Sequence, residues 1–475
     1  MVKQKILVKV FSPGLLFLLL PLVAGATAGP IEDCGQASSF DLRIKSCSAI
    51  IEGEPKAADL SVVFVNRGVA WIGKRELDRA IADFDQAISI NPKSVSARLN
   101  RGVAWNRKSD HDRALADFDE VIRLNSKSAA AYRNRANTWL LKGDQDRAIG
   151  DFDHAISLDP TFVSAYVDRG DAWVAKGDMN RAIADFNHAI NLDPESSSTY
   201  LSRARAWMEK GEHDRAIADF NEVVRISPRY IHAYMLRATL LTGKGEHNRA
   251  IADFDQAIRL SPKYASAYWS RGKAWYAKGD RGRAIVDFDE AIRLNADLTI
   301  AYLDRGRARL AAGDGDRAIP DFDKAITQLP PAAFLHWDRG RAHYVRADFA
   351  SASEDFSKAV DLGSSYGMLW RFFNRARLSQ NGAAELSLSS AALKSRDWPA
   401  PIIEFYLGKT SFQKLRSAAD TPVKTCDVNF YVGQWHISRG SASAAKPLLE
   451  AAVTGCEKTS REHQTAVVEL KRLSQ

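Results

Sequence analysis

The sequence predicts an all-α solenoid, and three observations predict it. A phenylalanine recurs every 34 residues, at Phe84, Phe118, Phe152, Phe186, Phe220, Phe254, Phe288, Phe322 and Phe356. Alanine keeps the same register four residues earlier, from Ala80 to Ala352. Within each period the apolar residues fall on two faces of 3.6-residue pitch, one for each of two helices. Such a period builds a stacked array in which each unit buries its apolar side against its neighbours. The product is an extended surface rather than an enclosed pocket.

From the N-terminus, residues 1–28 carry the marks of a signal peptide. Lys3 and Lys5 precede the apolar stretch 11–26, which runs into Ala24-Gly25-Ala26 and Ala26-Thr27-Ala28, both fitting small-residue cleavage. An uncleaved anchor is the competing reading, disfavoured by Pro13 and Pro21 and by the shortness of the stretch. The expected location is the periplasm or outside the cell, with no stable membrane insertion. The net charge of +8 and pI near 9.1 are mild for this length and partly belong to the leader, so no nucleic-acid partner is expected. All four cysteines lie outside the repeats, as Cys34 and Cys47 near the start and Cys426 and Cys456 near the end. An even count in an exported chain reads as disulfides. Bridges between sequence neighbours would each contribute roughly 3 kcal/mol on the chain-entropy model.

Residues 29–60 read as an N-terminal capping segment, with 39–52 a short amphipathic helix. Nine units then cover 61–366, starting at 61 and every 34 residues thereafter. Position 8 of each unit is small, as in Gly68, Gly102 and Gly170, and position 11 is tryptophan in six units. Positions 4, 8 and 11 share one face of a first helix, and positions 20, 24, 27 and 28 one face of a second. Small residues let the backbones approach, and the large ones fill the space around the crossing. Turns such as Lys142-Gly143-Asp144 place an acidic residue at position 16 in all nine units, where it is suited to cap the second helix. Proline at position 32 of six units, Pro92 and Pro160 among them, stops that helix.

This grid resembles the tetratricopeptide repeat (TPR) family. The resemblance implies a right-handed superhelix whose concave face is lined by the first helices, with atypical helical capping units at both ends. One departure stands out: position 7 is arginine in all nine units, from Arg67 to Arg339, and position 23 aspartate in all nine, from Asp83 to Asp355. The expectation is a ladder of partly buried ion pairs within or between units, setting register more than adding stability. Arginines that collect phosphates are the competing reading.

Catalysis is not expected. The D-F-D strings follow the repeat grid, and histidines such as His111, His213 and His247 sit at equivalent positions of different units, a whole repeat apart. His336 and His343 stand where other units carry aromatics and read as core substitutions. There is no H-E-x-x-H, phosphate loop, dinucleotide fingerprint or nucleophile elbow, and neither a metal nor a cofactor is expected.

Function is therefore sought on the concave face, which the resemblance assigns to positions 2, 5, 9 and 12. In the first unit these are Val62, Val65, Val69 and Ile72, an apolar stripe that helix 39–52 is expected to cover. Further along they become basic and aromatic: Arg205, Trp269, Lys273, Tyr276, Arg307, Phe334, Trp337, Arg341 and Tyr344. Such a row suits an extended acidic protein segment or an anionic glycan. The alternative is that the C-terminal region packs there and uses the aromatics as core. The carboxylate clamp of chaperone-binding relatives is echoed only by Arg133 and Asn137, with Asp168 where its next asparagine would stand.

The last region, 367–475, loses the period and regains it in a degenerate unit at 426–459. Gly433, Gly440, Ala445, Leu449 and Ala452 take its positions 8, 15, 20, 24 and 27. Cys426 and Cys456 then mark the two ends of one hairpin, which supports a bridge between them. The segments 397–409, 426–440 and 466–473 resemble the tail of NlpI-like envelope lipoproteins, which implies an adaptor role and a possible homodimer. The lipidation context is missing, so tethering does not carry over. The function expected is a non-enzymatic adaptor or scaffold binding one or more proteins. An anionic-polysaccharide module and a self-assembling structural protein are the alternatives.

Overall fold

A computed structural model describes residues 33–35, 39–53, 57–393, 397–458 and 460–475. The predicted leader lies outside the described residues, among which no helix is long and apolar enough to cross a membrane. Every regular element among them is a helix. They form two compact units that divide between Pro228 and Arg229.

In the N-terminal unit, Phe40–Glu52 precedes five antiparallel helix pairs. These are Ala57–Gly73 with Leu77–Ile90, Val95–Arg107 with His111–Leu124, Ala129–Leu141 with Gln145–Leu158, Val163–Lys176 with Met179–Leu192, and Ser197–Glu209 with His213–Ile226. Each pair is one repeat. The C-terminal unit continues with four pairs from Ile231–Gly243 to Phe349–Asp361. Ser365–Arg377 and three short helices follow, then the hairpin Pro422–Ser438 with Ala442–Gly455 and the closing helix Arg461–Leu473.

The phenylalanine ladder is the core of each pair. All nine rings are buried, and the glycine at position 8 lets the first helix come down on them. A Cβ built on Gly170 would sit 2.6 Å from the Phe186 ring, inside any allowed contact. Gly433 meets Leu449 in the same way at 2.9 Å, so the degenerate unit keeps this packing with leucine in place of phenylalanine. The turns follow the expected chemistry: Gly177 takes φ 82°, a left-handed conformation open to glycine at little cost.

The capping expectation holds for aspartate and fails for glutamate. Asp110, Asp144, Asp178, Asp280, Asp314 and Asp348 each accept from a backbone N–H in the first turn of the second helix. Glu76, Glu212 and Glu246 make no such bond. The extra methylene carries the carboxylate past the amide that an N-cap must reach.

The arginine ladder is present in all nine repeats and is more extensive than a pair. Arg169 donates through Nε and Nη2 to Asp185 of its own repeat at 2.8 and 2.6 Å, and through Nη1 to Asp153 of the preceding repeat at 2.6 Å. Arg101, Arg135, Arg271, Arg305 and Arg339 repeat this three-point arrangement. The two aspartates of each D-F-D string thus have different jobs. The first closes its own repeat, and the second holds the next one.

Both ends are stapled. Cys34 bonds to Cys47 and Cys426 to Cys456. At the N-terminal end, however, the apolar stripe is covered differently from the expectation. Val65, Val69 and Ile72 are buried against Ala97 and Ala104 of the second repeat, while Val62 stays 38% exposed. The Phe40–Glu52 helix packs elsewhere: the Cys34–Cys47 pair clusters with Val63, flanked by Ile50 and Ile51, and Phe40 lies over Gly73.

Candidate partner-binding face

The first helices carry a second polar ladder, which links position 5 or 9 of one repeat to position 6 of the next. In the N-terminal unit, Arg133 Nε donates to Asp168 at 2.7 Å and Asn137 Nδ2 donates to the same carboxylate at 3.0 Å. All three side chains are buried. The two residues that echo an anion clamp are therefore already closed on a carboxylate of this chain. One turn along from Asp168, Asp171 is half-buried. Burial first, and Asp168 second, push its carboxyl up to about 7. Arg205 is exposed and lies near Asp171 on the first helix of the following repeat.

In the C-terminal unit the same relation recurs, again with aspartate at position 6 of the following repeat. Trp269 Nε1 donates to Asp304 at 2.8 Å, and Arg307 Nε donates to Asp338 at 2.7 Å. Arg307 also lies 3.6 Å from Asp304. The Lys273 ammonium sits 4.6 Å above the Trp269 ring and the Arg307 guanidinium 5.6 Å from that of Phe334. Tyr276 is half-buried beside Phe288 and Ala308. Phe334 is 44% exposed. The basic row of the sequence is thus matched by carboxylates at position 6, a column that pattern reading left aside. An alternation of charge between residues 31 apart is the signal that would have exposed it.

Three expected groove residues are core instead. Trp337, Arg341 and Tyr344 are 3%, 4% and 0% exposed. Trp337 meets Trp370 edge-on at 5.6 Å, and the Tyr344 hydroxyl donates to Gln434 at 3.2 Å. Arg341 reaches the backbone of Arg461 and the side chain of Gln464 on the closing helix. The reason is that a terminal repeat has no following repeat to bury its outer aromatics. Here Ser365–Arg377, Pro422–Ser438 and Arg461–Leu473 supply that cover, in one large aromatic cluster. Arg205, Trp269, Lys273, Tyr276, Arg307 and Phe334 remain accessible in whole or part, Arg205 on the N-terminal unit and the others on the C-terminal one.

His336 and His343 are half-buried and face Asp355 and Asp348 at 3.2 Å each. Among the described residues, Cys426, Asp427 and Glu462 form the one close group of three metal-ligating side-chain types, and that cysteine is bridged to Cys456.

A tetratricopeptide repeat family model matches residues 68–128, 107–161, 164–231 and 303–366, and a second TPR-repeat model matches 239–279. The chain belongs to the tetratricopeptide repeat family. Among solved structures, a TPR protein from Parabacteroides merdae is 21% identical. The match covers 52% of this chain and 98% of that one, with a TM-score of 0.40. YrrB, a TPR protein with an unusual peptide-binding site, is 23% identical over 39% of this chain and 95% of its own, at a TM-score of 0.36. MamA is 27% identical over 34% and 94%, at 0.33. The TPR fold is a scaffold for protein–protein interaction, and TPR proteins bind protein partners.

Proposed function

We propose that this TPR protein is an exported, non-enzymatic adaptor that holds an extended protein segment along its first helices. The observation that carries this reading is the accessible row of Trp269, Lys273, Tyr276, Arg307 and Phe334. Flat rings lie half open beside charges already balanced by Asp304 and Asp338. A face of that kind gains by covering aromatic surface while its ion pairs stay matched, which suits a polypeptide of mixed character. The same balance weighs against a polyanionic glycan, since Lys273 and Arg307 present little uncompensated charge. Two disulfides and the signal-like leader support export. The resemblance of the tail to NlpI-like lipoproteins supports the adaptor role.

The test is capture from a periplasmic extract with the wild type and with the double variant Lys273→Glu, Phe334→Ala. Both positions are exposed enough for the variant to fold. Partners that bind the row should be lost with the variant and kept with the wild type. An identical set of captured proteins would refute the assignment.

A further inference from the structure

We propose that Arg461 and Arg281 form a collar for a carboxylate, the side chain of a glutamate or aspartate in an extended protein segment, at the far end of the C-terminal unit's accessible row. This rests on the adaptor reading above and adds the chemistry of one contact.

Arg461 opens the closing helix Arg461–Leu473, directly after its N-cap Ser460. A cation in the first turn opposes the helix dipole, so this arginine does nothing for the helix it begins. It is exposed, and its guanidinium lies 4.2 Å from the centre of the Trp337 ring. Stacking of this kind fixes the guanidinium plane and keeps the N–H edge free for a carboxylate. Arg461 forms no ion pair among the described residues. Arg281 begins the helix Arg281–Leu294 in the same way, after the N-cap Asp280. Its Nη2 donates to the Lys458 carbonyl at 3.3 Å, which carries a second guanidinium from repeat 7 to the loop just before Arg461. Asp280 does not neutralise it, being engaged by the backbone N–H and the side chain of Arg283, each at 3.0 Å.

Behind Arg461 lies a third guanidinium, which the chain leaves without a paired anion. Arg341 is 4% exposed and sits 5.2 Å from the same Trp337 ring. Its Nη2 reaches the Arg461 carbonyl at 3.5 Å and Gln464 Oε1 at 3.4 Å, both long for hydrogen bonds, and its Nε has no partner. The charged groups around it are Asp338, Arg461 and Glu462. Asp338, one turn back on the same helix, gives Oδ2 to Arg307 at 2.7 Å. Glu462 gathers with Cys426 and Asp427, their ligand atoms within 4.8 Å of one another. Burial pulls the Arg341 pKa below the ordinary arginine value, Asp338 opposes that, and Arg461 pulls it further down. A buried cation so placed is stabilised by an anion at Arg461 without being touched by it. The collar also continues the accessible row: Arg307 holds Asp338, Asp338 shares a helix with Arg341, and Arg341 reaches Arg461.

The experiment is fluorescence anisotropy with two labelled, C-terminally amidated glycine–serine dodecapeptides, identical except for two central glutamates or two central glutamines, at pH 7.5 and low salt. Wild type should bind the glutamate peptide at least fivefold more tightly. Arg461→Ala should cut that preference below twofold, and Arg281→Ala should reduce it at least twofold; should the first not fold, the second decides. Arg79→Ala makes the same change of charge in the N-terminal unit, where Arg79 lies 4.8 Å from the Trp71 ring, and should leave the preference unchanged. An undiminished preference in Arg461→Ala overturns the collar, and so does an equal loss in Arg79→Ala, which would mark general charge attraction. No preference in the wild type, with partners still lost by the Lys273→Glu, Phe334→Ala variant, overturns the collar and leaves the adaptor reading standing. No preference together with unchanged capture by that variant overturns both.

Discussion

Arg169 clasps Asp185 with two nitrogens, 16 residues along the chain, and the pair joins the two helices of one repeat. Burial of Asp185 makes this contact asymmetric: losing the arginine strands a buried carboxylate, while losing the aspartate leaves Arg169 with Asp153. Arg169→Met should therefore cost about 3 kcal/mol, and Asp185→Leu less. The double variant should recover most of the loss, because apolar residues of similar volume replace buried ion pairs with little penalty. Thermal unfolding with hydrogen exchange at repeat 4 measures this, since an array of repeats need not melt as one unit. A double variant as unstable as Arg169→Met would show that the charges themselves hold the repeat.

The contact between Gly170 and Phe186 makes a second prediction with a graded outcome. Repeats 3, 5 and 6 carry Ala136, Ala204 and Ala238 at the same position, all buried against an equivalent ring. Ring and helix in those repeats thus accommodate one methyl. Gly170→Ala should change stability by under about 1 kcal/mol, the strain being offset by better helix propensity. Gly170→Val should lose about 1–3 kcal/mol through overpacking. Chemical denaturation of the two variants separates these outcomes.

The C-terminal unit should respond to pH through Asp427. Its Oδ2 accepts from Trp398 Nε1 at 2.7 Å and from the Tyr366 hydroxyl at 2.8 Å. Burial, with Glu462 adding to it, pushes the carboxyl up to about 6. A raised carboxyl pKa means the folded state holds the proton more tightly than the unfolded chain does. Stability is then greatest below the unfolded value near 4 and declines as pH rises through 6, by on the order of 2 kcal/mol. Asp427→Asn keeps the acceptor and removes the charge. Between pH 5 and 7.5 the wild-type melting midpoint should fall more steeply than that of the variant, and parallel curves would exclude this role.

Reduction of Cys426–Cys456 should loosen the closing hairpin. A bridge spanning 30 residues stabilises by about 3.5 kcal/mol on the chain-entropy model. Cys426→Ser with Cys456→Ser should raise hydrogen exchange in Pro422–Ser438 and Ala442–Gly455 while leaving the N-terminal unit unchanged. Uniform protection in both forms would mean that the aromatic cluster alone holds this end.

The repeat grid made most of the scaffold legible, because the residues that build each pair recur nine times in register. The Arg–Asp ladder could be read for the same reason. What pattern could not supply was the identity of neighbours across repeats. Asp304 and Asp338 share their position only with Asp168, and the other six repeats carry asparagine, serine or leucine there, so nothing periodic flagged them. Yet they neutralise the row that looked basic. Trp337, Arg341 and Tyr344 matched the groove columns as well as Trp269 did. Only the fold of the aperiodic tail turns them into core, and an aperiodic stretch has no register from which its docking place can be inferred. The glutamates at position 16 failed as caps for a local reason, one methylene too many.

The three-point hold of Arg169 on Asp185 and Asp153 carries an evolutionary corollary. Excise repeat 3 whole, and Arg169 would arrive opposite Asp119, chemically the same partner it had in Asp153. Joints built on aspartate at this position are interchangeable, so duplication or loss of 34 residues among them leaves no orphaned charge on this ladder, whereas Arg203 meets the uncharged Asn187 there. Among those repeats this ladder itself would need no compensating mutation when the chain lengthens or shortens in whole steps. Asp168, gripped by Arg133 from the repeat that would be lost, is the kind of bespoke contact that such a step would break.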